Sequence, residues 1–123
     1  MEFAVTGIDH IQLAAPVGCE EEARYFYGEI LGMQELKKPE LLRKRGGVWF
    51  RCGDRQLHSG VEADFRPAKK THPAFRVKDV ERLKAHLPAT GFEVQDDDAL
   101  SEAKRFYVED PFGNRLEFLE WRA

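Results

Sequence analysis

Cysteine is scarce in this sequence, and the two present, Cys19 and Cys52, stand far apart with neither in a CxxC pair. A disulfide framework and a cysteine-built zinc site therefore have no support, and a reducing cytoplasm is the compartment that fits. Long hydrophobic runs are missing too: no window approaches the roughly 18 apolar residues of a membrane span. The opening segment "MEFAVTGIDHIQL" lacks a basic n-region and a long apolar core, so a soluble, unprocessed chain is expected. Nor is there an excess of positive charge, since 19 Lys and Arg face 22 Asp and Glu, interspersed, for a net charge of -3. That balance leaves no electrostatic footprint for nucleic acid or an anionic membrane, and points to a small-molecule or protein partner.

What is there is a chain of 123 residues, 42% hydrophobic, enough for one domain or for two small halves sharing a core. "GIDHIQLAA" alternates and reads as a strand with His10 and Gln12 on one face and Ile11 and Leu13 on the other. "CEEEARYFYGEILG" follows as a helix, with Ala23, Phe26, Tyr27, Ile30 and Leu31 at helical spacing, acids in its first turn and Gly32 as C-terminal cap. "MQELKK", "VWFRCG" and "RQLHSGVE" read as three short strands, the last two joined by a tight turn at Gly53 and Asp54. "ADFRPAKKT" is a connector, and after it the order returns. "HPAFRV" is a strand, "DVERLKAHL" a helix with Asp79 as N-cap, and "FEVQDD", "KRFYVE" and "NRLEFLEW" are strands. The expected architecture is α+β, a βαβββ module over about residues 5–63 and a second over about 70–123.

The repeat can be checked by offsets. Gly32 and Gly91 are separated by 59 positions, as are His58 and Glu117, while His10 and His72 are separated by 62. One length change between first strand and helix accounts for the difference, and unequal turns before His58 and Glu117 require a further compensating one. Three of the four histidines thus fall on predicted strands at positions that the repeat links to one another or to Glu117. Under a pseudo-twofold between modules, His10, His58, His72 and Glu117 converge. Imidazoles with one carboxylate suit zinc, nickel, cobalt, manganese or iron, and four ligands on a six-coordinate ion leave two positions for adjacent substrate oxygens. Glu117 stands among Leu116, Phe118, Leu119 and Trp121, where a surface ion pair with Arg115 or Arg105 would not account for an acid. Glu120, on the other parity, is expected to be solvated. His86, near a helix C-terminus, is expected to face solvent.

"DHIQLAA", "THPAFRV" and "FYVEDPFGNRLEF" resemble the vicinal oxygen chelate superfamily, which includes glyoxalase I, fosfomycin-modifying thiol transferases, extradiol dioxygenases and bleomycin-binding proteins. In that superfamily the strand-borne metal ligands lie where His10, His72 and Glu117 stand, and a DPxGN turn precedes the last strand, as Asp110, Pro111, Gly113 and Asn114 do. The resemblance implies two βαβββ modules forming a cup-shaped mixed sheet, usually completed in a homodimer. Glyoxalase I typically has a glutamate near the position of His58, so its two-glutamate arrangement is not reproduced.

The leading expectation is a small metal-dependent enzyme, a glyoxalase-type lyase or isomerase or a related transferase. His10, His72 and Glu117 would hold a divalent metal, with His58 as a fourth or alternate ligand and Glu117 as the candidate base. Gln12, Trp49, Arg105 and Arg76 are the candidate substrate contacts, Arg76 because its parity matches that of His72, and Arg51 is a further candidate anchor. A bleomycin-resistance-like binding dimer and an Fe(II) extradiol-type dioxygenase are the alternatives.

Overall fold

A computed structural model describes residues 2–123. Its backbone contacts divide the chain into two units, 1–65 and 66–123, with the boundary inside the expected connector.

The first unit contains β1 (His10–Ala15), helix α1 (20–30), β2 (Glu35–Leu36), the single turn α2 (Glu40–Arg43), β3 (Val48–Cys52) and β4 (Arg55–Val61). The strands form one mixed sheet in the order β1-β4-β3-β2, with β1 parallel to β4 and the other pairs antiparallel. Strand β1 starts at His10, later than the alternation suggests, because its pairing with β4 begins at His10, opposite Gln56. Leu13 and Ala15 are buried while His10 and Gln12 are exposed, the alternation expected of a half-buried strand.

Helix α1 opens with an α-helical turn, Glu20–Ala23, and continues as π-helix over Arg24–Ile30. The wider winding differs from the expected α-helix, yet Ala23, Phe26, Tyr27 and Ile30 are the residues it buries. It ends at Gly32, whose φ of +75° reverses the chain and lets the Met33 amide donate to the Tyr27 carbonyl. Strand β2 is shorter than "MQELKK" implies because only Glu35 and Leu36 pair with β3, and α2 was not anticipated.

The second unit repeats the plan with β5 (Ala74–Arg76), α3 (Val80–Ala89), β6 (Gln95–Asp96), β7 (Ala103–Glu109) and β8 (Arg115–Trp121). Its sheet runs β5-β8-β7-β6, with β5 parallel to β8. Asp79 caps α3 as expected, its Oδ1 accepting from the Arg82 amide at 3.3 Å. Glu120 is not simply solvated: its carboxylate accepts from the Val80 and Asp79 amides at 3.0 and 3.2 Å, adding a second cap to the same helix. Strand β6 stops at Asp96 because the next side chain turns inward on the chain, Asp97 accepting from the Ala99 amide at 2.9 Å.

The register makes the repeat concrete. In the first sheet His58 sits opposite Gln12 on β1 and Trp49 on β3; in the second Glu117 sits opposite Ala74 on β5 and Tyr107 on β7. The hairpins differ in length: the five-residue "DPFGN" stands in the second unit where the first has the two-residue Gly53–Asp54 turn. Asp110 is buried at the centre of that turn and accepts from the amides of Phe112 and Asn114, each at 2.9 Å, and from Asn114 Nδ2 at 3.1 Å. Asn114 Oδ1 in turn accepts from the Ala68 amide at 3.0 Å, which ties the connector to the hairpin.

Each unit has its own apolar centre. Phe26, Tyr27, Phe50 and Leu57 are fully enclosed in the first, and Leu87, Phe106, Leu116 and Phe118 in the second. No helix among the described residues is long and apolar enough to cross a membrane.

Candidate functional site

The first unit presents His10, His58, Gln12 and Trp49 on one face of its sheet, because β1 and β3 flank β4 in that register. His58 is 5% exposed and lies between two rings. Trp49 stacks on it at 3.9 Å with an interplanar angle of 2°, and His10 stacks at 4.3 Å and 21°. Burial, then the neighbouring His10, pushes the His58 pKa below its ordinary value, so the ring is held neutral. Its Nε2 donates to Gln56 Oε1 at 2.9 Å, leaving Nδ1 with the lone pair. His10 donates from Nδ1 to the Asp9 carboxylate at 3.0 Å and keeps Nε2 open, the carboxylate-oriented arrangement common among metal-binding histidines. The Gln12 side chain lies across Gly60, where any side chain would collide with it.

A metal lies in the plane of an imidazole that binds it, about 2.1 Å from the nitrogen. Two nearly parallel rings stacked as His10 and His58 are cannot both place one ion in their planes. In this arrangement the pair offers one ligand and its support.

The second unit presents His72, Glu117, Tyr107 and Arg105. His72 lies two residues before β5 and not on the strand, a correction to the sequence reading, because pairing with β8 begins at Ala74. Glu117 lies on β8 between β5 and β7, and is 8% exposed. Its Oε1 is 3.0 Å from His72 Nε2, and its Oε2 is 3.4 Å from Arg105, whose other terminal nitrogen is 3.2 Å from Asp97. Tyr107, opposite Glu117, meets the His72 ring edge to face at 5.5 Å, and the Arg115 guanidinium lies over its ring at 3.9 Å.

The bonding of His72 decides what this pair can do. Nδ1 is 2.8 Å from the Lys70 carbonyl, which only accepts, so Nδ1 carries a proton. A neutral ring then turns the Nε2 lone pair toward an acidic oxygen, which is repulsive unless a second proton or a cation stands between them. Two donors at right angles, each about 2.1 Å from one ion, are about 3.0 Å apart. The observed His72–Glu117 spacing of 3.0 Å therefore suits neighbouring positions on a six-coordinate ion.

Among the described residues, no three or more His, Cys, Asp or Glu side chains are gathered closely enough to hold a metal by themselves. What the structure provides is the donor pair His72 and Glu117 in the second unit and one carboxylate-oriented imidazole, His10, in the first. Arg76 is exposed on β5, and Arg51 is exposed on β3. His86 is exposed, as expected. Arg115, which the sequence offers only as an ion-pair partner for Glu117, packs instead on Tyr107; carrying the repeat from Trp49, opposite His58, to the residue opposite Glu117 marks Tyr107 as its counterpart.

Comparison with known proteins accords with these observations. A family model described as the Glyoxalase/Bleomycin resistance protein/Dioxygenase superfamily matches residues 7–118. A glyoxalase family protein from Bacillus anthracis is 57% identical over 99% of this chain and 100% of its own, with a TM-score of 0.96. An integron cassette protein from the metagenome of the Halifax Harbour sewage outfall is 23% identical over 94% of this chain and 99% of its own, TM-score 0.77. The fosfomycin resistance protein FosX from Listeria monocytogenes is 16% identical over 98% of this chain and 94% of its own, TM-score 0.73, a likeness of fold. No curated protein matched. The chain belongs to the glyoxalase/bleomycin resistance/dioxygenase superfamily.

Proposed function

We propose that this protein is a small divalent-metal enzyme acting on a substrate that offers two neighbouring oxygens. His10, His72 and Glu117 are its metal ligands, with His58 as the stacked support of His10 and the alternate fourth ligand when that stack opens. The observation that carries this is the 3.0 Å contact between Glu117 Oε1 and a His72 Nε2 whose ring is already committed, through Nδ1, to a backbone carbonyl. When bound, the metal supplies Lewis-acid stabilisation of negative charge developing on substrate oxygens.

The chain's own residues supply the rest. His72 is fixed in rotation and tautomer by the Lys70 carbonyl. Glu117 is the general base in this reading: Oε1 takes a proton only when it is not held as a metal ligand, while Oε2 stays on Arg105. Arg105, paired with Asp97 on its other side, keeps the carboxylate in place. Trp49 and Gln12 flank His58 in the sheet and are the proposed substrate contacts of the first unit, with Arg105 and the exposed Arg76 those of the second. A homodimer is part of the reading, supported by the exposure of Phe3, Val5 and Ile8 on the segment before β1. So is a reducing cytoplasm, which suits two unpaired thiols.

Two measurements test it. Transition metal should bind wild-type protein saturably and bind the His72→Ala and Glu117→Ala variants at least about tenfold more weakly, as expected for loss of a ligand. Turnover of hemithioacetal, hydroxy-acid or epoxide substrates should require the metal. Equal metal affinity in all three proteins would refute the assignment of ligands.

A further inference from the structure

Both units have a hollow at the same place in the repeat, beside their short edge strand, and the two differ in charge. In the second unit it lies beside the start of α3, the end of β6 and the start of β7, and its cations Lys84, Lys104, Arg105 and Arg122 are balanced by Glu81, Asp96, Asp97 and Asp98. In the first unit it lies along β2 and β3, has a volume of about 460 Å³ and includes Trp49. Arg24, Lys37, Lys38, Arg43 and Lys44 surround it, against Glu20 and Glu35. A shared fold does not dictate that contrast.

The two carboxylates in the first hollow are already committed. Glu35 pairs with Arg24 at 3.0 Å, and Glu20 accepts from the Gly47 amide at 2.7 Å. Lys38 is held inside by donating to the Gly46 carbonyl, and Arg43 uses only Nε, on the Lys38 carbonyl at 3.2 Å. Lys37, Lys44 and the two terminal nitrogens of Arg43 have no carboxylate within ion-pair reach among the described residues. In a chain of net charge -3 this is a local surplus of positive charge around a concave wall. The wall is continuous with the stack of the candidate site, since Trp49 lines the hollow and covers His58.

We propose that this hollow binds a small polyanion, a molecule bearing two or more phosphate or carboxylate groups, with Lys37, Arg43 and Lys44 as its recognition residues. Planar Arg43 offers a bidentate contact and the lysines add point charges. The site lies within the first unit and does not depend on the metal. If the metal reading also holds, the hollow carries the charged portion of a substrate whose reactive oxygens lie beyond Trp49.

Inorganic pyrophosphate is the probe, titrated calorimetrically into full-length protein, with a thermal melt on each variant to verify folding. The expected result is saturable binding that weakens as salt rises, falls at least tenfold in Lys37→Glu/Lys44→Glu, and is unchanged in Lys84→Glu/Lys104→Glu, which makes the same charge change in the second hollow. Binding retained in Glu117→Ala would separate this site from any metal, so it survives failure of the metal reading. Loss in Glu117→Ala with no change in Lys37→Glu/Lys44→Glu would overturn it, showing capture through metal. No pyrophosphate binding, with retention instead on phosphatidylserine vesicles or single-stranded RNA, would also overturn it.

Discussion

Glu117 is a buried carboxylate with a histidine on one oxygen and a guanidinium on the other, so its removal tests structure and chemistry separately. In metal-free protein, Glu117→Ala leaves Arg105 with Asp97 alone and should lower the unfolding free energy by about 1–3 kcal/mol, measured by urea denaturation. His58 gives a sharper residue-scale test. Its ring is a stacking surface for His10 and Trp49 and carries a lone pair only on Nδ1. His58→Phe keeps the stacking and removes the nitrogen, so metal affinity should stay within about threefold of wild type, whereas His10→Ala should lose at least tenfold, as expected when a ligand is removed. A loss in His58→Phe equal to that in His10→Ala would make His58 a full ligand and would mean that the stack opens on binding.

At the scale of elements, two contacts decide whether the strands and helices are held where the site needs them. Gly47 enters β3 with φ +88°, and a Cβ there would be 2.1 Å from the Ser59 backbone oxygen on β4. Gly47→Ala should therefore cost about 3 kcal/mol or more, since strain and a backbone clash coincide, and a thermal melt would register it. Glu120 links β8 to the start of α3. The Val80 amide, then that of Asp79, holds its carboxyl below the usual carboxylate range. A folded-state pKa below the unfolded one makes the unfolded chain bind more protons, so the stabilisation is complete above the unfolded value. It is lost as pH falls below about 4.3 and through the folded-state value. Glu120→Gln should flatten that part of the stability–pH curve without altering metal binding; an unchanged acid limb would contradict the cap.

The elements also show what the sequence made legible. Alternation placed β1, which is half-buried along its length, while β4, β7 and β8, which bury three or more consecutive residues, were legible as strand-forming runs bounded by turns, and Gly32, Asp79 and Gly91 marked helix ends through backbone requirements that few residues meet. Edge strands β2 and β6 were overextended because nothing local says where a neighbour stops. The cap by Glu120 was hidden because it joins residues about forty apart, and parity alone argued for solvent. His72, Glu117 and the repeat were legible as donor chemistry at matched offsets, but the stacking of His58 was not, since a side-chain rotamer is set by tertiary packing. The basic hollow was invisible for another reason: "KKPELLRKR" is diluted by an acidic chain, and only folding gathers it with Arg24 against Trp49.

For the whole molecule, two statements remain to be measured. The first is assembly: sedimentation equilibrium at micromolar concentration should give twice the 14.2 kDa chain mass, and a monomer under those conditions would remove the dimer from the proposal. The second is the proposed metal, one ion per chain with Glu117 among its ligands. Metal analysis of protein purified without an affinity tag, wild type beside Glu117→Ala, measures this directly. The account predicts about one equivalent of a transition metal in the wild type, after reconstitution if it is lost during purification, and a large drop in the variant. Less than about a tenth of an equivalent in the wild type, with no rebinding on titration, would contradict it.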